Sequence, residues 1–489
     1  MDRASVFGTE GWGFEPLRLH QTQKHSKKQT FSLYRWILYF SECFLFDYKL
    51  AFSGYFGTIL ALNETSFMRM SKLFTKTNKN APHDADSANA SLLIRGAFVD
   101  QEMAGVYTWL PLGLRVLRKV EQIVREEMDT LGANEILMPS LQPKEYWETT
   151  NRWEGVDILF KLNSQTGKEY ALGCTHEEVV TPLAQKSILS YKDLPFAVYQ
   201  INTKFRDELR AKSGVLRGRE FRMKDMYSFH TTQESLNEFY QGALEAYVKA
   251  FARCGLNVKV VQASGGIFTE NISHEFQALT DAGEDMIIAC TNCSFGENTE
   301  VATKKEGDTC PKCEGSLAQM KGVEVGNIFD LGTKYTDAFK VDFANEKGEK
   351  ERVLMGCYGI GTTRLVGAVV ETHNDDRGIV WPKSIAPFAV HLVVMPGRDV
   401  DTAPKVELFG QELYEQLVAS GVEVLFDDRA LSPGEMLSDA DLLGMPLRLV
   451  VSAKTMSQAS VEWKERAGDD VVFVPSDELI ESVQQFLQK

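Results

Sequence analysis

The sequence contains no long apolar run. The longest uncharged stretch in its aromatic N-terminal part, from Leu50 to Asn63, is 14 residues long, whereas a membrane-spanning helix needs roughly 20. Neither a secretory cleavage site, nor an internal repeat, nor a low-complexity tract is evident. The hydrophobic content of 44% and the charged content of 25% instead predict a soluble chain of two or three domains that does not bind membranes.

An excess of positive charge is lacking too. The net charge is −15, which argues against a protein that coats nucleic acid non-specifically. It does not exclude a nucleic-acid partner, because a local basic patch is enough to steer a polyanion. The segment from Lys204 to Lys224 holds eight Lys or Arg residues against three acids. A solvated charged loop is the alternative interpretation of that segment.

Four of the eight cysteines occur singly and four form two close pairs. This distribution fits a reducing cytoplasm better than a disulfide framework. Cys290 and Cys293 are separated by 16 intervening residues from Cys310 and Cys313, a spacing that predicts a tetrahedral Zn²⁺ site. Because four thiolates leave no open coordination position, the metal is expected to be structural. A metal-free pair of redox thiols is the alternative.

The first 67 residues differ from the rest. We expect residues 1–67 to be an extension upstream of a start at Met68 or Met70, with a degenerate targeting segment as the alternative.

Apolar residues recur at three- and four-residue spacing from Arg115 to Leu131, which predicts an amphipathic helix. Residues 136–139 are predicted to form a short strand that ends at a proline.

The pattern changes after Pro387. Apolar strand-like runs at 389–395, 422–426, 447–451 and 471–474 alternate there with helical segments. One of these helices is predicted to begin at Ser432-Pro433, which has the chemistry of a helix cap followed by a first-turn proline. Alternating strands and helices predict a compact α/β domain of about one hundred residues.

A first candidate site lies in the basic segment. Joining a carboxylate to a nucleotide α-phosphate needs a fixed cation between two anions, and a bidentate guanidinium supplies it best. Arg206 is our candidate for that cation. Phe221 offers a face for stacking adenine, Glu208 can accept from the exocyclic amine of adenine, and Arg217 could hold the outer phosphates.

A second candidate segment runs from Gly356 to Arg364 and reads GCYGIGTTR. Glycines such as Gly359 and Gly361 would let the backbone approach a nucleotide closely, and Arg364 could clamp the γ-phosphate from the first turn of the following helix. Tight packing is the alternative explanation of these glycines.

A third candidate is Thr175-His-Glu177-Glu. In an extended strand, Thr175 and Glu177 would point the same way and could accept both N–H groups of a charged secondary amine. The alternative is the capped start of a helix, with acids in its first turn.

Together these segments resemble the class II aminoacyl-tRNA synthetases. The helix followed by Pro139 resembles motif 1, Arg206 to Phe221 resembles motif 2, and GIGTTR resembles motif 3. The segments CTHEEV, SHEF and MGCYGIG, in that order, are similar to those of the prolyl-tRNA synthetases. The resemblance covers the chain from about Met70 to its C-terminus.

The resemblance implies three regions. These are an α+β catalytic domain with an antiparallel class II sheet over 68–386, a small zinc-ribbon-like insertion at 287–320, and an α/β anticodon-binding domain over 387–489. It also implies a homodimer, formed through motif 1, that binds ATP with Mg²⁺, L-proline and tRNA(Pro). Within the anticodon-binding domain, the resemblance rests on the segments FDDR at 426–429 and VEWKER at 461–466.

The resemblance also implies roles for single residues. Arg206 and Arg364 would be catalytic, while Thr175, Glu177 and Arg206 would contact proline and His274 would close its pocket. ATP would be bound by Arg206, Glu208, Arg217, Phe221, Gly359, Gly361 and Arg364.

The sequence departs from the family pattern in three places. About 50 residues separate SHEF from GNIFDLG, too few for the large insertion that hydrolyses mischarged alanine in many bacterial members. Cys174 stands where proline is common, and the glycine loop at 265–270 is unusual. A catalytically inactive, synthetase-like tRNA-binding or regulatory protein is the alternative function, and a synthetase for another small amino acid is a further one.

Overall fold

The structure is a computed structural model that describes residues 67–83, 85–266 and 268–488. The predicted extension therefore lies outside the described residues, apart from residue 67. The helices are α1 (Ala88–Arg95), α2 (Pro111–Thr130), α3 (Lys144–Thr149), α4 (Glu177–Gln185), α5 (Gln233–Arg253), α6 (Lys334–Phe339), α7 (Thr362–Thr372), α8 (Ala403–Ala419), α9 (Pro433–Leu443), α10 (Ala453–Ser457) and α11 (Leu479–Gln488).

The strands fall into a large sheet, a C-terminal sheet and several small pairings. They are β1 (Phe67–Arg69), β2 (Val99–Met103), β3 (Val106–Trp109), β4 (Asn134–Glu135), β5 (Leu141–Pro143), β6 (Lys161–Asn163), β7 (Glu169–Leu172), β8 (Phe196–Phe205), β9 (Glu220–His230), β10 (Val258–Ser264), β11 (Ile272–Leu279), β12 (Asp285–Cys290), β13 (Phe295–Asn298), β14 (Leu317–Gly332), β15 (Asp342–Ala344), β16 (Lys350–Arg352), β17 (Leu354–Ile360), β18 (Asn374–Asp375), β19 (Gly378–Ile379), β20 (Val390–Met395), β21 (Val424–Asp427), β22 (Leu447–Ser452), β23 (Ser460–Glu465) and β24 (Val471–Pro475).

The large sheet has nine strands in the order β11-β10-β13-β12-β14-β17-β9-β8-β4. Its centre, β14-β17-β9-β8, is antiparallel throughout. Only the β10–β13 and β4–β8 pairs are parallel. The segment expected to be a zinc ribbon forms no sheet of its own among the described strands, because β12, β13 and β14 belong to the large sheet.

Side-chain alternation gives the large sheet two different faces. One face packs on α2, α5 and α7 around a core that includes Val120, Tyr247 and Leu365. The other face packs on α4 and α6 through Phe229 and Tyr335. The helix predicted over 115–131 is α2, and its apolar residues are buried as that spacing requires.

The strand predicted at 136–139 is wrong. Strand pairing stops at Glu135, and polar side chains then replace the ladder. The backbone N–H of Met138 donates to the side chain of Gln200 at 2.9 Å, and the amide of Asn202 donates to the Met138 carbonyl at 2.8 Å. The apolar run therefore lies beside the sheet without becoming part of it.

The C-terminal sheet has the order β1-β21-β20-β22-β23-β24 and is parallel from β1 to β22. Helices α8 and α11 contribute to the core on one face, and α9 packs on the other. Ser432 caps α9 through a capping box with Glu435, as the Ser-Pro pair predicts. Strand β23, which the sequence patterns did not predict, joins the antiparallel edge.

The C-terminal sheet is fixed to the rest of the described chain by polar and apolar contacts. Arg115 and Lys119 of α2 donate to the carbonyls of Pro387 and Ala386, at 2.8 and 2.7 Å, and both pair with Glu423. Arg466 forms a fork with Asp375 at 2.6 and 2.8 Å. Leu442, Leu443 and Met445, which follow the C-terminal pattern change, are also buried in the core of the large sheet.

The start of α2 gives a stability prediction. A Cβ added at Gly113 would lie 2.1 Å from the Phe98 carbonyl oxygen, whereas nothing lies within 4 Å of one added at Gly434 in α9. We expect Gly113→Ala to lower the free energy of unfolding by about 1–3 kcal/mol, because backbone must move. Gly434→Ala should change it by less than about 0.5 kcal/mol. Denaturant titration of both variants measures the difference, and equal stabilities would contradict the close approach.

Candidate active site

A cavity of about 310 Å³ opens over the ends of β8, β9, β14 and β17. Its walls come from distant parts of the chain, which the antiparallel strands bring together. Eight of the residues singled out in the sequence line it: Thr175, Arg206, Glu208, Arg217, Phe221, Gly359, Gly361 and Arg364. Glu177 and His274 are not among its lining residues.

Arg206 lies where β8 turns into the hairpin. Its backbone N–H donates to the Arg219 carbonyl at 2.8 Å, and its guanidinium carbon lies 5.2 Å from the Phe221 ring centroid. Its Nε is buried, and no described group is its hydrogen-bond partner. A buried donor of a permanent cation without a partner is costly, so this wall of the cavity is suited to an anion.

Glu208 and Arg217 pair with each other across the mouth of the cavity. The Nε and Nη2 of Arg217 lie 3.0 and 2.8 Å from Glu208 Oε2, and its Nη1 donates to Glu284 at 2.7 Å. The Arg217 side chain is 42% exposed, so solvent screens these pairs and they are weak. A polyphosphate could therefore displace them and take the guanidinium.

Arg364 is in the first turn of α7 and also lines the cavity. Its Nε donates to the Leu216 carbonyl at 2.7 Å and its Nη1 to the Glu324 carbonyl at 2.8 Å. These two bonds fix the plane of the guanidinium. Gly361 precedes α7, where a Cβ would lie 3.2 Å from that of Arg364, so a larger residue there would crowd this arginine.

Thr175 and Glu177 meet, but not in a strand. Glu177 begins α4 with acids in its first turn, as the helix alternative expected, but the N-cap residue His176 makes no side-chain capping hydrogen bond. The Thr175 hydroxyl nevertheless donates to the Glu177 carboxylate, and the Cys357 thiol donates to its other oxygen at 3.1 Å. Glu177 is fully buried behind these two cavity residues. Its charge is thus presented to the cavity through their polar groups.

Arg152 is a functional candidate that the sequence patterns missed. Its Nη1 donates to Glu178 at 2.6 Å and lies 3.8 Å from Glu177. Its guanidinium also lies 5.4 Å from the ring centroid of Phe268, a lining residue. Burial raises the pKa of Glu178 although the Arg152 charge lowers it. No local pattern marks an isolated arginine as the partner of acids 25 residues away.

Asp225 lies at the floor of the cavity and was also missed. It accepts from Lys204 Nζ at 2.6 Å, Gln200 at 2.9 Å and the Tyr227 hydroxyl at 3.0 Å. Burial favours the neutral acid, but the charge and hydrogen bond of Lys204 hold the pKa of Asp225 below its usual range. Strand alternation could have found Asp225, because residues 221, 223 and 225 point the same way and all three line the cavity.

His274 lies apart from this group. Its Nδ1 shares a 2.8 Å hydrogen bond with the hydroxyl of Tyr240 in α5, and the two rings pack with centroids 5.7 Å apart. Burial lowers its pKa. The strand register turns this ring toward a helix instead of the cavity, so its expected role in closing the pocket stays a prediction.

The four paired cysteines form one cluster. Their sulfur atoms all lie within 4.8 Å of one another, with Cys290 and Cys313 at 3.4 Å and Cys293 and Cys310 at 3.6 Å. The N–H groups of Asn292 and Lys312 point at two of the sulfurs. This arrangement could hold a metal ion.

Comparison with protein families agrees with this geometry. The model of the tRNA synthetase class II core domain (G, H, P, S and T) matches residues 160–373, and that of an anticodon binding domain matches 391–486. The antiparallel sheet, its cavity and the second domain thus define a class II aminoacyl-tRNA synthetase. No helix among the described residues is long and apolar enough to cross a membrane.

Curated relatives specify the family further. Proteins named proline–tRNA ligase from Acidithiobacillus ferrooxidans and Elusimicrobium minutum are 33% and 32% identical to this chain, each over 86% of it and 99% of the relative. The same name is carried by a Geobacter metallireducens protein, 33% identical over 85% of this chain and 98% of that one. The chain belongs to the proline–tRNA ligase family.

The ion pair beneath the cavity yields a prediction. Lys204 and Asp225 are almost fully buried, so Asp225→Asn would leave a buried ammonium without its counter-charge. We expect a loss of about 3–5 kcal/mol in the free energy of unfolding. Glu154→Gln, which breaks the exposed pair with Lys161, should cost at most about 1 kcal/mol. Thermal and denaturant unfolding compare the variants, and equal losses would show that the buried charge is compensated in another way.

Proposed function

We propose that this protein activates L-proline with ATP and transfers the prolyl group to tRNA(Pro). In the first step a carboxylate oxygen of proline bonds to the α-phosphorus, the bond from that phosphorus to the bridging oxygen breaks, and pyrophosphate leaves. In the second, a hydroxyl at the 3′ end of tRNA attacks the prolyl carbonyl, loses its proton and displaces AMP. The resemblance and the family membership both support this sequence.

The observation that carries the proposal is the buried Nε of Arg206, which has no partner among the described groups. Two anions must meet in the first step, and a preorganised cation between them stabilises the charge that develops there. Phe221, against which Arg206 rests, would stack adenine. Arg217 and Arg364, which both line the cavity, would take the outer phosphates and the departing pyrophosphate. Mg²⁺ would accompany ATP, and Glu208 and Glu324 offer the carboxylate oxygens that it prefers.

Selection of proline would take place at the other end of the cavity. Thr175 would accept from an N–H group of a charged secondary amine directly, and the buried Glu177 would supply the counter-charge through the Thr175 hydroxyl. Phe268 and Phe329, whose ring centroids are 4.8 Å apart, give the cavity an apolar wall for the proline ring. An inactive regulatory protein is less well supported, because the cations needed for adenylation are present and converge on one cavity.

We further propose a cytoplasmic homodimer. The exposed side chains of Leu137 and Leu141, which flank the motif 1 proline, favour an interface there. We keep 68–386 as the catalytic domain, with its insertion at 287–320, and 387–489 as the anticodon-binding domain. The described cysteines are free thiols, and free thiols are typical of proteins in the reducing cytoplasm.

The arginine assignment can be tested directly. We expect Arg206→Ala to lower proline-dependent ATP–pyrophosphate exchange by about 100-fold or more, because a charge-stabilising donor is lost. Arg210→Ala changes an exposed arginine outside the cavity and should stay within about twofold of wild type. An Arg206→Ala protein within tenfold of wild type would remove this residue from the role. Exchange that depends on another amino acid would contradict the substrate.

The cysteine cluster is proposed to hold one structural Zn²⁺. Ideal tetrahedral thiolate coordination places sulfur atoms about 3.8 Å apart, close to the 3.4 and 3.6 Å observed for two pairs. Elemental analysis should give about one zinc per chain, lost in Cys310→Ser but kept in Cys254→Ala, whose thiol lies elsewhere. Zinc content that does not respond to Cys310 would contradict the site.

We also propose that the protein cannot edit mischarged alanine. The alignment with the Acidithiobacillus protein runs over 569 residues, whereas 86% of 489 residues is about 420, so about 150 positions of that relative have no counterpart here. Between His274 and Gly326 the described chain forms strands of the large sheet and the cysteine cluster. These features leave little room for a separate hydrolytic domain.

The editing proposal has a direct assay. Alanine fits any pocket that admits proline, and each missing methylene costs only about 1–3 kcal/mol of discrimination. The enzyme should therefore form alanyl-tRNA(Pro) and leave it intact. Pre-formed alanyl-tRNA(Pro) should decay at the same rate with and without enzyme, and rapid clearance by the enzyme would reveal an editing activity.

A further inference from the structure

The first described strand belongs to the C-terminal sheet. Residues 67–69 form β1, which pairs in parallel with β21, so that Met68 is opposite Leu425 and Arg69 is opposite Phe426. The chain then runs along the junction of the two domains as far as Lys79. We name residues 67–79 the strap. A domain formed mainly by the last hundred residues is thus completed by a strand from the other end of the chain.

Arg69 fixes the strap to the loop after β21. Its Nη1 donates to Asp428 Oδ2 at 3.1 Å, and its guanidinium carbon lies 4.8 Å from the Phe426 ring centroid. It also donates to Gln411 of α8. Asp428 in addition accepts from the backbone N–H of Ser71 at 3.0 Å and from its hydroxyl at 2.8 Å. This loop is held by side chains of the strap.

The remainder of the strap reaches both domains. The Thr77 hydroxyl donates to Asp439 of α9 at 2.9 Å, and the Asn78 N–H donates to the Arg95 carbonyl at the end of α1 at 2.7 Å. Met70 is buried in the core that the two domains share. A shift of the strap would consequently move the loop after β21 relative to the catalytic sheet.

A cavity of about 500 Å³ adjoins this loop. It lies at the carboxyl ends of β20 and β21. Ligands of open α/β sheets bind outside the carboxyl ends of the strands. The walls include Arg69, Gln411, Phe426 and Asp428. The Arg69 guanidinium lies over the Phe426 ring, and the Gln411 amide and the Asp428 carboxylate are hydrogen-bond acceptors beside it. This chemistry suits a planar base taken out of its stack.

We propose that the strap is part of the tRNA-reading surface, with Arg69 as the positioning residue that holds the loop at 427–430 around an unstacked base of the anticodon loop. The inference rests on the proposed function and adds a residue from outside the matched anticodon-binding domain. Arg69 acts through Asp428 and Phe426, and it is far in sequence from every residue assigned to proline or ATP.

The test separates activation from charging in the full chain. Arg69→Ala should raise the KM for a tRNA(Pro) transcript about tenfold, as expected for the loss of one well-held base, while ATP–pyrophosphate exchange without tRNA stays within about twofold. Arg69→Lys keeps the charge but not the planar fork, so it should recover part of the loss. Lys161→Ala, which breaks an exposed pair with Glu154 outside the strap, should have no measurable effect.

A second substrate makes the test specific for base recognition. On a transcript whose anticodon bases are replaced, wild type should already charge poorly, and Arg69→Ala should add less than about twofold, because the contact is already lost. Equal losses on both transcripts would overturn the proposal, as would exchange and charging that fall together. Absence of proline-dependent exchange in wild type would instead contradict the proposed function, whereas normal exchange with equal losses on both transcripts would overturn the strap proposal alone.

Discussion

The arrangement of the active site depends on one buried carboxylate, that of Asp225. Its oxygens accept from Lys204 and Gln200 of the neighbouring strand β8 and from Tyr227 of its own strand. The hydroxyl of Tyr227 in turn accepts the backbone N–H of His176 at 3.0 Å. A single charge therefore connects the sheet that would hold the nucleotide to the start of α4, where Thr175 and Glu177 meet.

Burial makes the hydrogen bonds of this network costly to break. Each buried polar group costs about 1–3 kcal/mol if it lacks a partner, so removing one member leaves the others unsatisfied. Burial lowers the pKa of the neighbouring His176 to about 4, and its ring is neutral at physiological pH as a result. Lys204 is then left as the counter-charge of Asp225. The site thus has a rigid floor and, in Arg206, a cation available to a ligand.

The walls of the cavity differ from its floor. Arg217 is partly exposed and is paired with carboxylates that solvent screens, so it can change partners at little cost. Arg364 is held by two backbone carbonyls and keeps its orientation. This division suits a reaction in which the reacting centre must be preorganised while the outer phosphates enter and leave. The second domain is built similarly, with a loop whose position is set by contacts from the strap.

The sequence by itself determined the elements with strong local signals. The periodicity of α2, the capping box at Ser432 and the alternation after Pro387 each follow from interactions within a few residues, and the structure contains all three. The predicted cavity residues were also found together, eight of them around one space. They could be predicted because adenylation chemistry restricts both residue type and spacing, and because the motifs resemble a family.

Only the tertiary structure decided the rest. It ended β4 before residues 136–139, because the side chains of Gln200 and Asn202 bind that backbone. It placed Thr175 and Glu177 at a helix start and turned His274 toward Tyr240. It brought Arg152 to Glu178 and β1 to β21, a pairing that joins residues more than 350 positions apart. Such contacts leave no local pattern, since burial and strand register are set by the packing of the whole chain.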